Sequence, residues 1–199
     1  MHPNSGFAWT DRSAMLGLAR QQGFARIFAQ TPDGPRVAHV PIFVQSERTI
    51  RFHLANGNAL ARTIAGATAL VLVEGPNAYV SANWYHDVRG AVPTWNYVAA
   101  EFEGPVNALD RQALIALLDD LSAHLEPKVG EDWTRAKMEP KRFEAMLNAI
   151  TAFELDIVEA RGTRKLSQNK QQDEAARLIA GMERNRATDM ADAMRAVRA

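Results

Sequence analysis

The chain has 199 residues, 47% hydrophobic and 23% charged, a composition ordinary for a globular protein and a length suited to one domain. Lysine plus arginine and aspartate plus glutamate both number 23, so the formal net charge is zero, which argues against a surface built to attract phosphate backbones. The absence of cysteine excludes disulfides, thiolate nucleophiles, CxxC redox pairs and iron–sulfur ligation, so redox chemistry here needs a borrowed cofactor.

Thr10 and Asp11 are placed to cap a short helix running to about Gln22, with Gly23 as its stop. The period then changes to that of strands, predicted over Phe24 to Gln30, Arg36 to Val44 and Thr49 to Ala55 and separated by the turn clusters Thr31 to Pro35 and Gln45 to Arg48. Ala59 to Ala65 reads as a short helix leading into the apolar run Ala69 to Val73 and a turn at Gly75-Pro76. Two more β segments follow, Ala78 to Ala82 and Pro93 to Val106, the second with Val98, Ala100 and Phe102 on one face and Ala99, Glu101 and Glu103 on the other.

Asp110 caps a helix whose Leu114, Leu117, Leu118, Leu121 and Leu125 recur at helical spacing. A loop from Glu126 to Pro140 precedes a second helix carrying Phe143, Met146, Leu147 and Ile150. Thr151 to Glu159 reads as a strand and Gly162 as a turn. Beyond Leu166 the pattern is helical, with Ala175, Leu178, Ile179 and Met182 on one stripe, and a weaker helix is expected from Thr188 to Arg198. The whole predicts an α+β protein, a closed or partly closed antiparallel barrel with flanking helices, divided as residues 1–184 and a helical tail 185–199. The apolar stretches Ala67 to Val73 and Ala113 to Leu118 fall short of the roughly 18–20 residues that cross a bilayer, and no secretory signal opens the chain, so a cytoplasmic location is expected.

Three segments carry candidate chemistry. Tyr79 to His86 with Pro93 to Tyr97 gathers large aromatics, hydroxyls and amides around one loop, a composition that lines a cavity for a flat ligand or equally a barrel rim or dimer interface. Arg161 to Asn169 brings three cations together with hydroxyls and amides, as a phosphate site or a solvated turn before a helix does. Phe52 to Asn58 ends a strand at a glycine before a short helix whose N-terminus offers unpaired N–H groups to an anion; an ordinary turn has the same look. His2, His39, His53, His86 and His124 lack metal-ligand spacing, and no GxSxG, Walker or GxGxxG motif is present.

Five strings occur in one order: Ala38-His-Val-Pro41, His53-Leu-Ala55, Tyr79-Val-Ser81 with Trp84-Tyr85, Val92-Pro-Thr-Trp-Asn-Tyr-Val98, and Lys165-Leu-Ser-Gln-Asn169. Together they span about residues 10 to 184 and resemble the PaiB-type FMN-binding transcriptional regulator family. The resemblance implies an FMN-binding split β-barrel, antiparallel and Greek-key-like, assembled as a homodimer with flavin at the subunit interface. Carried over by position, it places His53, Leu54, Ala55 and Asn58 near the ribityl phosphate. Ser81, Trp84, Thr94, Trp95 and Asn96 become wall and ring contacts, with Lys165 and Gln168 as a C-terminal contribution. Where many relatives read HLARANP, this chain has Asn56 for the arginine and Ala59 for the proline, removing a charge-assisted bond worth about 1.5–3 kcal/mol.

The resemblance implies a negative transcriptional regulator. Direct DNA binding is not supported by charge, because Arg184, Arg186, Arg195 and Arg198 are interleaved with Glu183, Asp189 and Asp192 and no basic recognition helix is legible. The alternative is a flavin-dependent oxidoreductase that uses reduced nicotinamide and a small acceptor. A third reading keeps only an aromatic interface for dimerisation.

Overall fold

The computed structural model describes residues 2–198. They fall into two compact units, one built from residues 2–10, 74–100 and 161–198, the other from Asp11–Val73 and Glu101–Ala160. The elements in chain order are β1 (Ala8–Trp9), α1 (Arg12–Gln22), β2 (Phe24–Thr31), β3 (Gly34–Val44), β4 (Thr49–Ala55), β5 (Thr68–Val80), β6 (Thr94–Ala108), α2 (Arg111–Leu125), α3 (Pro140–Leu147), β7 (Ile150–Asp156), β8 (Glu159–Lys165), α4 (Gln172–Arg184) and α5 (Thr188–Ala196). Strands β5, β6 and β8 contribute a segment to each unit.

The second unit is a closed antiparallel barrel. Strand β5 pairs with β2, β2 with β3, β3 with β4 and β4 with β7. Strand β7 returns to the end of β6 through Val106 opposite Leu155, and Val106 in turn exchanges backbone bonds with Gly66 and Ala67 at the start of β5. Closure removes the exposed edges of an open sheet. Alternation along each strand sends Ile50, Phe52 and Leu54 of β4 inward with Phe102 and Phe153, and the Phe52 and Phe153 rings stack with centroids 5.7 Å apart. Closure also depends on Gly104: a Cβ there would lie 1.8 Å from the Asp156 carbonyl oxygen, a backbone atom that cannot move aside. Helix α2 lays Leu114, Leu117 and Leu121 on this unit with Leu147 and Ala152, and Asp110 caps it by accepting from Ala113 N–H.

In the first unit β1 pairs antiparallel with β8, Trp9 opposite Gly162. Helix α4 packs on α5, which buries Met190, Ala191 and Met194, and Gly181 of α4 admits the Trp84 ring where a Cβ would stand 2.4 Å from it.

The helix over residues 12–22 and the first three strands lie as expected, with Asp11 accepting from Ala14 N–H and Gly23 at φ 62°. Four local expectations are corrected. Gly75-Pro76 does not end a strand; β5 runs through it, because proline's fixed φ suits extended backbone wherever its missing N–H is not needed. Gly162 is not a turn but lies inside β8, the reversal falling at Ile157-Val158. Ile150 belongs to β7, where it faces Ala55, and not to the preceding helix, which stops at Leu147. The helix expected over 59–65 shortens to a 3₁₀ turn, Ala59–Arg62. Among the described residues no helix is long and apolar enough to cross a membrane, and no cluster of three metal-ligating side chains occurs.

Candidate functional site

In the first unit a cleft of about 240 Å³ is walled by Thr94, Asn96, Lys165, Asn169 and Lys170, with Tyr85 and the Gly90-Ala91-Val92 loop beside them. Thr94 and Asn96 reach it together because residues two apart on a strand share a face. Lys165 ends β8, and its ammonium donates to Thr94 Oγ1 and to the Trp95 carbonyl oxygen, the latter at 2.9 Å. Burial pushes its pKa down. An ammonium has three N–H groups, so one stays available to an anion. Lys170 Nζ lies 4.8 Å from the Tyr85 ring centroid and 3.7 Å from Glu174 Oε2.

The loop after β8 is held rigidly. Fully buried Asn96 donates from Nδ2 to Ser167 Oγ at 3.0 Å and to Met194 Sδ at 3.5 Å. Ser167 sits at φ 57°, a left-handed conformation that costs a non-glycine residue about 1–2 kcal/mol. Gln168 has both amide ends engaged, Oε1 accepting from Leu166 N–H and Nε2 donating to Arg164 and Gly6 carbonyls. Arg198 reaches back to the Ser167 carbonyl oxygen at 2.5 Å and the Lys170 carbonyl oxygen at 3.3 Å.

The aromatics of this unit divide. Trp84 packs on Gly181 while its carbonyl accepts from Arg177, and Ser81 Oγ caps the short turn Ala82–Trp84 by accepting from Asn83 N–H. Trp95 is half exposed, edge-on to Tyr79 at 6.0 Å, with Nε1 donating to Asn77 Oδ1 at 3.3 Å.

The second unit holds the other four expected residues. Leu54 points into the barrel core at 2% exposure, so its side chain is no ligand contact, while Ala55 is exposed at the strand end. Asn58 Oδ1 accepts from Leu60 N–H and the Asn58 carbonyl from Ala61 N–H, so the turn that follows is capped by its own chain at these two groups. Asn56 donates to the Asn148 carbonyl and accepts from Thr151 Oγ1, which ties the turn to the end of α3. His53 is half-buried on the outer side of β4; its Nδ1 has no hydrogen-bond partner, and burial lowers its pKa.

Thus Thr94, Asn96 and Lys165 converge on one cleft. Trp95 and His53 keep ring surface for a ligand, and Ser81, Trp84, Asn58 and Gln168 are engaged in building the local backbone. Sequence reasoning passed over Lys170 and Met194, and read Arg198 only as part of an interleaved charged end, not as the partner of the Ser167 and Lys170 carbonyls. The Met190, Ala191, Met194 stripe was the available signal that one face of the last helix is buried while its charged face stays solvated.

The donor chemistry suits a flavin mononucleotide at its anionic end: two ammonium groups, a hydroxyl and the Asn169 amide line the cleft, with Glu174 outside the wall at 3.7 Å from Lys170. Comparison with known proteins points the same way. The family model described as "Putative FMN-binding domain" matches residues 1–159. A curated protein of Bacillus subtilis (strain 168), "Protease synthase and sporulation protein PAI 2", is 28% identical over 181 residues, 87% of this chain and 84% of its own. Among solved structures, the flavocytochrome Anf3 from Azotobacter vinelandii superposes with a TM-score of 0.66 at 14% identity, over 88% of this chain and 78% of that one. An FAD and heme binding protein from Mycobacterium smegmatis gives 0.60 at 18%, over 85% and 78%. At these identities the structures share the fold alone.

Proposed function

Because the chain belongs to the FMN-binding domain family and its cofactor is FMN, we propose that it is a homodimeric flavoprotein acting as a negative transcriptional regulator, with flavin held where two copies meet. The observation that supports placing the phosphate here is the convergence of Lys165, Lys170 and Thr94 on one cleft, where a single carboxylate, Glu174, faces two ammonium groups from outside the wall. At about 240 Å³ this cleft is smaller than the roughly 300–1,000 Å³ of small-molecule pockets, so it takes one end of the cofactor and leaves the rest to other surfaces.

In this reading Lys165 and Lys170 hold the phosphate, and Thr94 orients Lys165. Asn96, Ser81, Asn58, Trp84, Leu54 and Gln168 position the backbone, and Trp95, Ala55 and His53 present surface to the flavin. When bound, FMN supplies a ring that accepts a hydride or single electrons. The second copy is supported by an apolar row on the outer face of the barrel: Val37, Phe28 and Leu70 are direct cross-strand neighbours on β3, β2 and β5. Phe28 is 36% and Val37 43% exposed, with Phe24 at 53% nearby.

Direct DNA contact through the last helix is no part of the reading, since Arg195 is paired with Glu183 and Asp192 and Arg198 with backbone carbonyls. The test compares FMN with riboflavin by fluorescence quenching. Lys165→Ala and Lys170→Ala should each weaken FMN by about one decade or more, the worth of one charge-assisted bond, and leave riboflavin unchanged. Equal losses for both ligands would move the lysines away from the phosphate. Bleaching of bound flavin by NADH or NADPH under anaerobic conditions at a catalytic rate would favour an oxidoreductase over a regulator.

A further inference from the structure

Lys170, the second ammonium of the cleft, stands on the loop between the end of β8 and the start of α4. Within that loop Ser167 keeps a left-handed backbone at φ 57°, which a non-glycine residue holds only where its surroundings over-determine it. The loop's own backbone supplies a turn bond, Lys170 N–H donating to the Ser167 carbonyl at 3.0 Å.

Further restraint comes from α5 and the turn after it. Met194 and Arg198 are four residues apart, one helical turn, and so share a face. Met194 Sδ accepts from Asn96 Nδ2 at 3.5 Å, and the same nitrogen donates to Ser167 Oγ. The Arg198 guanidinium donates from one terminal nitrogen to the Ser167 carbonyl and from the other to the Lys170 carbonyl, the latter at 3.3 Å. A rigid planar fork that reaches two carbonyls fixes their spacing, which a single ammonium on a flexible stem does not. Arg198 is no part of the cleft wall; it lines a separate groove with Gln172, Ala176 and Ile179 of α4. Both terminal nitrogens are committed to carbonyls and Nε is buried, so what Arg198 gives the cleft is position and not a donor. The family match ends at residue 159, which leaves the loop, α4 and α5 outside it.

We propose that Arg198 is a positioning residue that makes the protein selective for the phosphorylated flavin: it acts through the Ser167 and Lys170 backbone, holding the Lys170 ammonium at the cleft without touching the ligand. The inference rests on the reading that the phosphate lies between Lys165 and Lys170. An arginine that acted only as a distant charge would behave differently, its contribution adding to that of Lys170 and fading with salt.

The full-length protein is titrated with FMN and with riboflavin, fluorescence quenching giving both dissociation constants. Arg198→Ala should weaken FMN about three- to tenfold, up to the worth of one hydrogen bond, and leave riboflavin unchanged. In a Lys170→Ala background the same substitution should change FMN binding by less than about twofold, because the group it positions is gone. Arg198→Lys, which keeps the charge and loses the fork, should still cost FMN about threefold; it carries the test where the alanine variant does not fold, as judged by its thermal melt. Arg195→Ala, on the same helix but paired with Glu183 and Asp192 at the surface, should leave both constants unchanged. A ratio of the two constants unchanged in Arg198→Ala while Lys170→Ala alters it overturns the inference and leaves the phosphate reading standing. Additive losses in the double variant overturn it too, by making Arg198 an independent charge, and so does an equal loss in Arg195→Ala, by assigning the effect to α5 at large. A ratio indifferent to Lys170→Ala moves the phosphate out of this cleft and takes the inference with it.

Discussion

At the scale of single residues, two buried polar groups carry the most consequence. Asn96 has no solvent exposure, and its amide bonds Ser167 Oγ and Met194 Sδ. Asn96→Ala leaves the Ser167 hydroxyl without its partner inside a low-dielectric site, so we expect a loss of about 1–3 kcal/mol in urea unfolding. Ser167→Ala should cost less, since the Asn96 amide keeps Met194. His53 is the second. Burial favours its neutral form, so its folded pKa lies below the ordinary 6.5. The native state therefore binds fewer protons than the unfolded chain, and stability falls as pH drops below about 6.5, levelling once His53 protonates in the folded state too. Between about pH 7 and pH 5 the wild-type Tm should fall more than that of His53→Leu; parallel curves would show that His53 contributes nothing to the acid sensitivity.

Two glycines decide how elements close on one another. At Gly104 the Asp156 carbonyl occupies the place of a Cβ, so Gly104→Ala must break the approach of the β7 end to β6. A loss of about 3 kcal/mol or more is expected in chemical denaturation, the range of a strained or over-packed buried site. At Gly181 the obstacle is the Trp84 ring, a side chain that can rotate. Gly181→Ala should therefore cost less, about 1–3 kcal/mol, and shift Trp84 fluorescence as the ring leaves α4. The ordering of the two losses checks the distinction between a backbone and a side-chain obstacle. The elements themselves were largely legible: the Asp110 cap and the leucine stripe define α2, and alternation from Val98 to Phe102 defines the two faces of β6. Errors fell where local chemistry is ambiguous, at Gly75-Pro76, Ile150 and Gly162. There a glycine, a proline or an isoleucine suits two conformations, and strand partners far along the chain choose between them.

For the whole molecule, the prediction concerns association. The Val37, Phe28, Leu70 row is apolar and runs across three paired strands. In a two-fold dimer each substitution on such a face acts twice. Phe28→Glu should shift sedimentation from dimer to monomer and remove any dependence of Tm on protein concentration. A variant that sediments as wild type would place the interface on another face. If FMN lies at the interface, the same variant should lose flavin although Phe28 is in a different unit from Lys165.

Fold class and family were determined by the sequence itself, because periodicity reports which face of each element is apolar and because the long strings at 92–98 and 165–169 seldom occur by chance in that order. The surroundings of individual side chains were decided only by tertiary structure. Leu54, Gln168 and Asn58 look like ligand contacts in a motif, yet one fills the core and two are engaged by backbone groups. Lys170, Met194 and Arg198 gained their places around the same loop only through folding. The reason is that a motif records which residue types occur together, whereas the availability of a polar atom depends on hydrogen-bond partners brought from distant parts of the chain.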